Sequence, residues 1–277
     1  MGRTIACANQ KGGVGKTTTV VNLASYVALA GDRVLVIDLD PQGNATSGLG
    51  VDRARLEGSV YDAILDDHGL RDLIVQGTAK GVDVVPSAIA LAGAEVELAG
   101  ADARERRLHR LVHSIAFDYD VVLIDCPPSL GLLTVNALTA ADEVLIPLQC
   151  EYYALEGLTQ LLATIDLVRD HLNPTLALNG VVLTMADGRT NLSAEVGAEV
   201  RRHLGSRVYD TVVPRSVRLS EAPSHGVPIS AYAPSSRGAL AYAALADEFR
   251  GRLGLDGKAP SASLRSGLEP SATLVLS

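Results

Sequence analysis

Three observations predict an α/β fold built on a doubly wound, mostly parallel sheet with helices on both faces. Short apolar runs rich in β-branched residues recur without polar alternation, a helical pattern follows each, and the first such junction carries a glycine-rich loop. Unalternated runs mark strands buried on both faces, and that requires a helical layer on each side of the sheet. The size agrees. A chain of 277 residues, 47% of them hydrophobic, is not a disordered one and sits near the upper limit for a single core.

Strands are expected at residues 4–9, 33–39, 82–86, 120–125, 143–148, 178–185 and 208–213, each short and bounded by turn residues. Between the first two, residues 17–30 place Val20, Val21, Leu23, Ala24, Val27 and Ala28 at helical spacing, with Gly31 as the stop. This is a βαβ unit. Further helices are expected at 104–117, 130–141, 155–171, 192–204 and 236–253. In such a sheet, ligands bind at the carboxyl ends of the strands. One domain is expected over 1–254. From 255 to 277 the composition shifts to Gly, Ala, Pro and Ser, which reads as a mobile tail.

The net charge of −8 argues against a uniformly basic nucleic-acid coat, although local charge differs from the total. Cys7, Cys126 and Cys150 form no CxxC pair and are too scattered for a disulfide framework. Buried structural thiols and a reducing cytoplasm are the expectation. No secretion signal and no stretch long enough to span a membrane are found in the sequence. Six scattered histidines show no metal-ligand spacing.

The run from Asn9 to Thr18, NQKGGVGKTT, lies where the first strand turns into the first helix. A phosphate-binding loop needs that setting: glycines let several N–H groups converge on one anion, and the helix N-terminus adds partial positive charge. Lys11, Gly12, Gly13, Val14, Gly15, Lys16, Thr17 and Thr18 are therefore candidate nucleotide-binding residues, with Lys16 reaching the β- and γ-phosphates and the Thr17 hydroxyl ligating Mg²⁺. The common pattern has glycine five places before Gly15. Here Gln10 stands there, followed by a second lysine, Lys11. Only four lysines occur in the chain, and two of them lie in this loop.

Asp125 ends the apolar run 121–124, as a metal-holding Walker B aspartate does, and Asp38 and Asp40 end the second strand. Such aspartates also serve as plain helix caps, and that reading stays open at this stage. Residues 186–218 hold six arginines against four carboxylates, a net +2 that leaves −10 for the remainder. A basic face on an acidic body is the footprint of phosphate-backbone binding, and ordinary surface ion pairs are the alternative.

KGGVGKTTT resembles the deviant Walker A motif of the ParA/MinD group of P-loop ATPases. Residues 38–46, DLDPQGNAT, and 121–129, VVLIDCPPS, resemble the matching segments of ParA/Soj chromosome and plasmid partition ATPases, as do 187–193 and 213–226. The resemblance covers about residues 3–253. It implies a Mg-ATP-sandwiched homodimer that binds double-stranded DNA nonspecifically on the nucleoid, in the cytoplasm and without a membrane. It further implies slow hydrolysis of ATP, with Mg²⁺ as cofactor, until a ParB/Spo0J-like centromere-binding partner stimulates it. Asp40 would orient the attacking water, Asp38 would join the metal neighbourhood with Asp125 and Thr17, and Lys11 would act in trans, since no arginine finger is evident. Met185 and Pro214 would lie near the purine, and Arg189 and Arg218, with Arg215 as a further candidate, would contact DNA. The alternatives are a MinD-like membrane-associated division-site ATPase, for which the tail is a poor membrane helix, and a nucleotide-dependent switch with negligible hydrolysis.

Overall fold

The computed structural model describes residues 2–66, 68–151, 154–187 and 191–255, with only the backbone given at 77, 78, 191 and 192. Eight strands form one sheet: β1 (Arg3–Cys7), β2 (Val34–Asp38), β3 (Val75–Ala79), β4 (Val82–Val85), β5 (Val121–Asp125), β6 (Glu143–Gln149), β7 (Ala177–Ala186) and β8 (Val208–Pro214). Their order is β3-β4-β2-β5-β1-β6-β7-β8. All neighbours run parallel except β3 and β4. The chain leaves β1 toward β2 on one side and later returns to β6 on the other. That reversal opens a crevice at the carboxyl ends of the central strands.

The helices are α1 (Lys16–Leu29), α2 (Asn44–Gly48), α3 (Val60–Asp66), α4 (Leu91–Glu97), α5 (Arg107–His113), α6 (Leu132–Ala140), α7 (Ala154–His171), α8 (Asn191–Leu204), α9 (Val217–Glu221), α10 (Ile229–Tyr232) and α11 (Arg237–Arg252). The pleat sorts the strand residues between two layers. Ala6, Leu35, Ile37, Val122 and Ile124 join the core beneath α3 to α8, while Ile5, Cys7, Val34, Val36, Val121 and Leu123 join the core beneath α1, α2 and α9 to α11. Burial on both faces is why these strands read as continuous apolar runs. All three cysteines are free and buried, as expected.

Each of the seven expected strands is present to within two residues. The eighth, β3, was not expected. It is the antiparallel edge strand, joined to β4 through Gly81 at φ 87°, and its sequence VQGTA has the glycine and polar character of a strand paired on one side only. The helix expected at 104–117 is α-helical only over Arg107–His113. Ser114 Oγ donates to Leu111 O at 2.7 Å, a local bond that competes with continued helix. The tail expected at 255–277 lies, from 256 onward, outside the described residues.

The last helix locks the first in place. Arg250 Nε donates to Asp32 Oδ2 at 2.7 Å with the two side chains 12% and 1% exposed, and Thr19 Oγ1 lies 3.1 Å from Tyr242 OH. Removing one partner strands a buried charge, so Arg250→Ala is expected to lower stability by about 3 kcal/mol. A urea unfolding curve with an unchanged midpoint would contradict this.

Candidate functional site

The loop over residues 8–15 leaves β1 and enters α1 through two backbone positions that only glycine adopts without strain, Gly13 at φ 76° and Gly15 at φ 90°. Gly15 caps the N-terminus of α1 without a side-chain bond, so the first amides of a long, buried helix stay available to an anion. Neighbouring strands hold the loop. Asn9 Nδ2 donates to Pro147 O at 2.8 Å, Asn9 Oδ1 accepts from Lys11 N at 3.0 Å, and Thr184 Oγ1 donates to Val14 O at 2.8 Å. Gly12 passes near Pro128, and Val14 is buried.

Both lysines of the loop have partners within the chain. Lys16 is buried and its Nζ donates to Lys11 O at 3.2 Å. The half-exposed Lys11 ammonium pairs with Glu151, whose other oxygen accepts from Gln149 Nε2.

Parallel register sets Asp38 directly beside Asp125 at the ends of β2 and β5. Burial pushes the Asp125 carboxyl well above the usual carboxylate range and the neighbouring Asp38 adds to the shift, with the Thr17 hydroxyl and Lys16 opposing it. Thr17 Oγ1 donates to Asp125 Oδ2 at 2.7 Å, while Asp125 Oδ1 is buried with no partner. Such an atom fits a magnesium ion, which takes one or two protein oxygens and leaves its other positions to phosphate and water. Among the described residues, no three of His, Cys, Asp and Glu cluster into an all-protein metal cage.

Asp38 is differently occupied. Its Oδ1 accepts from Asp40 N at 3.1 Å, and its Oδ2 accepts from Thr46 N at 2.8 Å and Thr46 Oγ1 at 2.7 Å. Its carboxyl is pushed up to about 6 by burial, against the pull of those hydrogen bonds. Asp40 Oδ1 accepts from Gln42 N at 2.9 Å, an Asx turn that starts the loop leading into α2. The Asp40 carbonyl accepts from Ser87 Oγ at 2.7 Å and from Gly43 N at 2.8 Å.

A cavity of about 470 Å³ opens beside the loop, lined by Gly15, Thr18, Thr184, Met185, Pro214 and Tyr242 among others. Met185 holds φ 51°, a strained setting for a non-glycine residue. There β7 slips register against β8. Met185 and Pro214 thus both stand at the wall of a cavity that begins at the phosphate loop.

A family model described as an AAA domain matches residues 2–178. The sporulation initiation inhibitor protein Soj of Bacillus subtilis is 58% identical over 248 residues, covering 90% of this chain and 98% of that protein. The chromosome partitioning protein ParA of Myxococcus xanthus is 52% identical over 252 residues, covering 91% and 89% respectively. The chain belongs to the ParA/Soj family. A solved structure from Mycobacterium smegmatis, described as cobyrinic acid a,c-diamide synthase with bound ADP and magnesium, matches at TM-score 0.80 and 40% identity over 94% of this chain and 98% of that one.

Of the arginines that the ParA/Soj resemblance marks for DNA, Arg189 lies outside the described residues. Arg215 is exposed at the cavity mouth, its backbone N–H bonded to Ala186 O at 3.1 Å. Arg218 is exposed on α9 and pairs with Glu221 at 2.9 Å, and that carboxylate also accepts from Tyr232 OH at 3.1 Å. Arg201 and Arg202 pair with Asp210 and Glu199.

Sequence reasoning assigned no role to Thr46, Ser87, Glu151 or Tyr242. Thr46 stands within a motif already quoted, whereas nothing local to Ser87 or Tyr242 marks them, because each meets the site only through the fold. The Thr46 hydroxyl donates to Asp38 and accepts from Ser87 N at 3.0 Å. Thr46→Val leaves a buried carboxylate short of a donor and a buried N–H without an acceptor, so a loss of about 3 kcal/mol is expected in denaturant unfolding. A variant as stable as the parent would show that water replaces both bonds.

Proposed function

We propose that this chain is a DNA-partition ATPase. It binds Mg-ATP, dimerises around the nucleotide, holds double-stranded DNA without sequence preference on the nucleoid, and lets go when a ParB-like centromere-binding partner speeds hydrolysis. The observation that carries the nucleotide half is the bare Asp125 Oδ1 beside the Thr17 hydroxyl, at the foot of a glycine loop that also borders an open cavity. The partition half rests on the relatives, 58% and 52% identical and named Soj and ParA. The structure that carries the name of an amide-forming synthase is less similar, at 40%.

The residues divide the work. The loop amides and Lys16 hold the phosphates, and Lys16 exchanges its bond to Lys11 O for phosphate oxygens as it does so. Thr17 and Asp125 hold the magnesium ion, whose positive charge offsets the charge developing on the transferred phosphoryl group. Asp38 fixes the backbone of Asp40, and Asp40 orients the attacking water. The cavity wall of Met185 and Pro214 takes the purine. Lys11 leaves Glu151 and reaches the partner subunit's nucleotide. Arg189, Arg215 and Arg218 supply the DNA contacts, doubled across the dimer. ATP and DNA then strengthen each other's binding, and hydrolysis weakens the hold on DNA.

Binding of a nonspecific duplex, titrated in salt with ATP and with ADP, tests this directly. Tight binding is expected with ATP alone, with log K falling against log salt by about 0.9 per phosphate contacted. DNA binding with neither nucleotide, together with ATP-dependent binding to anionic vesicles, would move the protein to the MinD-like reading. Binding of ATP with negligible phosphate release, even with the partner, would make it a switch. Lys16→Ala is expected to abolish nucleotide binding, Lys11→Ala to spare it and block the dimer, Asp40→Ala to trap the ATP dimer on DNA, and Arg218→Glu to lose DNA while keeping ATP. Ordinary hydrolysis by Asp40→Ala would remove Asp40 from its role.

A further inference from the structure

The loop from Asp40 to Gly43 is irregular and carries the residue that must hold water in register. Asp40 itself is fixed at its carboxylate by Gln42 N and at its carbonyl by Ser87 and Gly43 N. The next two carbonyls, of Pro41 and Gln42, both accept from one side chain: Arg53 donates through Nη1 to Gln42 O and through Nη2 to Pro41 O at 3.2 Å. Arg53 pairs with no carboxylate among the described residues, so its charge is directed at this backbone alone.

Two features show that the place is built for a guanidinium. A Cβ on Gly43 would lie 2.6 Å from Arg53 Cζ, so the cation packs flat on the bare Cα of a residue held at φ 63°. The arginine in turn opens a 3₁₀ turn, Arg53–Arg55, capped by Asp52 through a 3.0 Å bond from Ala54 N, which fixes the direction in which its side chain starts. A planar fork bridges two consecutive carbonyls, and a lysine ammonium reaches one at a time.

We propose that Arg53 is the positioning residue of the Asp40 loop: its guanidinium clamps the Pro41 and Gln42 carbonyls against Gly43, and so sets where the Asp40 carboxylate holds water. This rests on the ATPase reading above for its catalytic consequence, but not for the clamp. Arg53 is not among the residues lining the cavity beside the phosphate loop, and its guanidinium is bonded to the Pro41 and Gln42 carbonyls. It acts through the loop, and a misplacement of about 1 Å in such a group costs up to about a hundredfold in rate.

Hydrogen exchange on the full chain without nucleotide reads the clamp, and steady-state phosphate release with affinity for a fluorescent ATP analogue reads its consequence. Arg53→Ala is expected to speed exchange of the 42–46 amides about tenfold, while the amides of β2 and β5 stay as in the parent. Its kcat is expected to fall at least about tenfold with nucleotide affinity within about twofold of the parent. Arg53→Lys should recover part of both losses. Parental exchange over 42–46 in Arg53→Ala overturns the clamp. Loosened exchange with parental kcat overturns the positioning role, as does loss of kcat and nucleotide affinity together. If the parent itself releases no phosphate on DNA with its partner, the ATPase reading falls, and the exchange data alone decide for or against the clamp.

Discussion

Parallel register at the centre of the sheet places Asp38 of β2 beside Asp125 of β5, and the rest of the site is arranged around that unfavourable pair. Two carboxylates out of water repel each other and lose hydration. The fold treats them asymmetrically. Asp38 receives three hydrogen bonds from Thr46 and the Asp40 backbone, and is thereby committed to shaping a loop. Asp125 receives one, from Thr17, and keeps a bare oxygen. One carboxylate builds backbone and the other keeps an unbonded oxygen, so neighbouring strands of like sequence acquire different settings from their surroundings.

The crevice has a second, apolar half. The polar back wall is made by β1, β2 and β5 and the loops that leave them. The side wall comes from the last third of the chain, where Met185 bends β7, Pro214 ends β8 and Tyr242 projects from α11. These halves meet at Gly15 and Thr18, the start of α1. A ligand that is anionic at one end and flat and apolar at the other matches this division, and the hydrogen bond between Thr184 and Val14 keeps the two halves at a fixed spacing.

Much of this was legible beforehand. The seven apolar runs announced the sheet because burial on both faces leaves no room for polar alternation, and the glycine run announced the tight turn from β1 into α1, whose positive φ angles demand glycine. Strand β3 escaped because an edge strand needs no apolar run, and α2, α3, α4, α9 and α10 escaped because helices of four to seven residues are shorter than the span over which a helical period shows. Asp125 was readable from the run before it. The clasp of Thr46 and Ser87 around Asp38 and Asp40 was not, since Ser87 reaches the site across 47 residues of chain. Lys11 was readable as a special lysine, while its pairing with Glu151 joins residues 140 apart and leaves no local trace.

The dependence of the cavity on α11 bears on how the chain is made. The phosphate loop precedes the groups that complete its surroundings by a long stretch of chain: Tyr242, which lines the cavity, meets Thr19 across 223 residues, and Arg250 meets Asp32, just beyond α1, across 218. Contacts of such sequence separation form late because loop closure must precede them. A nascent chain therefore carries the glycine loop before the residues that complete the cavity wall beside it have been made. Only when the C-terminal helix arrives is the wall complete. The cavity wall is thus a product of long-range folding, whereas the glycine loop beside it is set by local sequence.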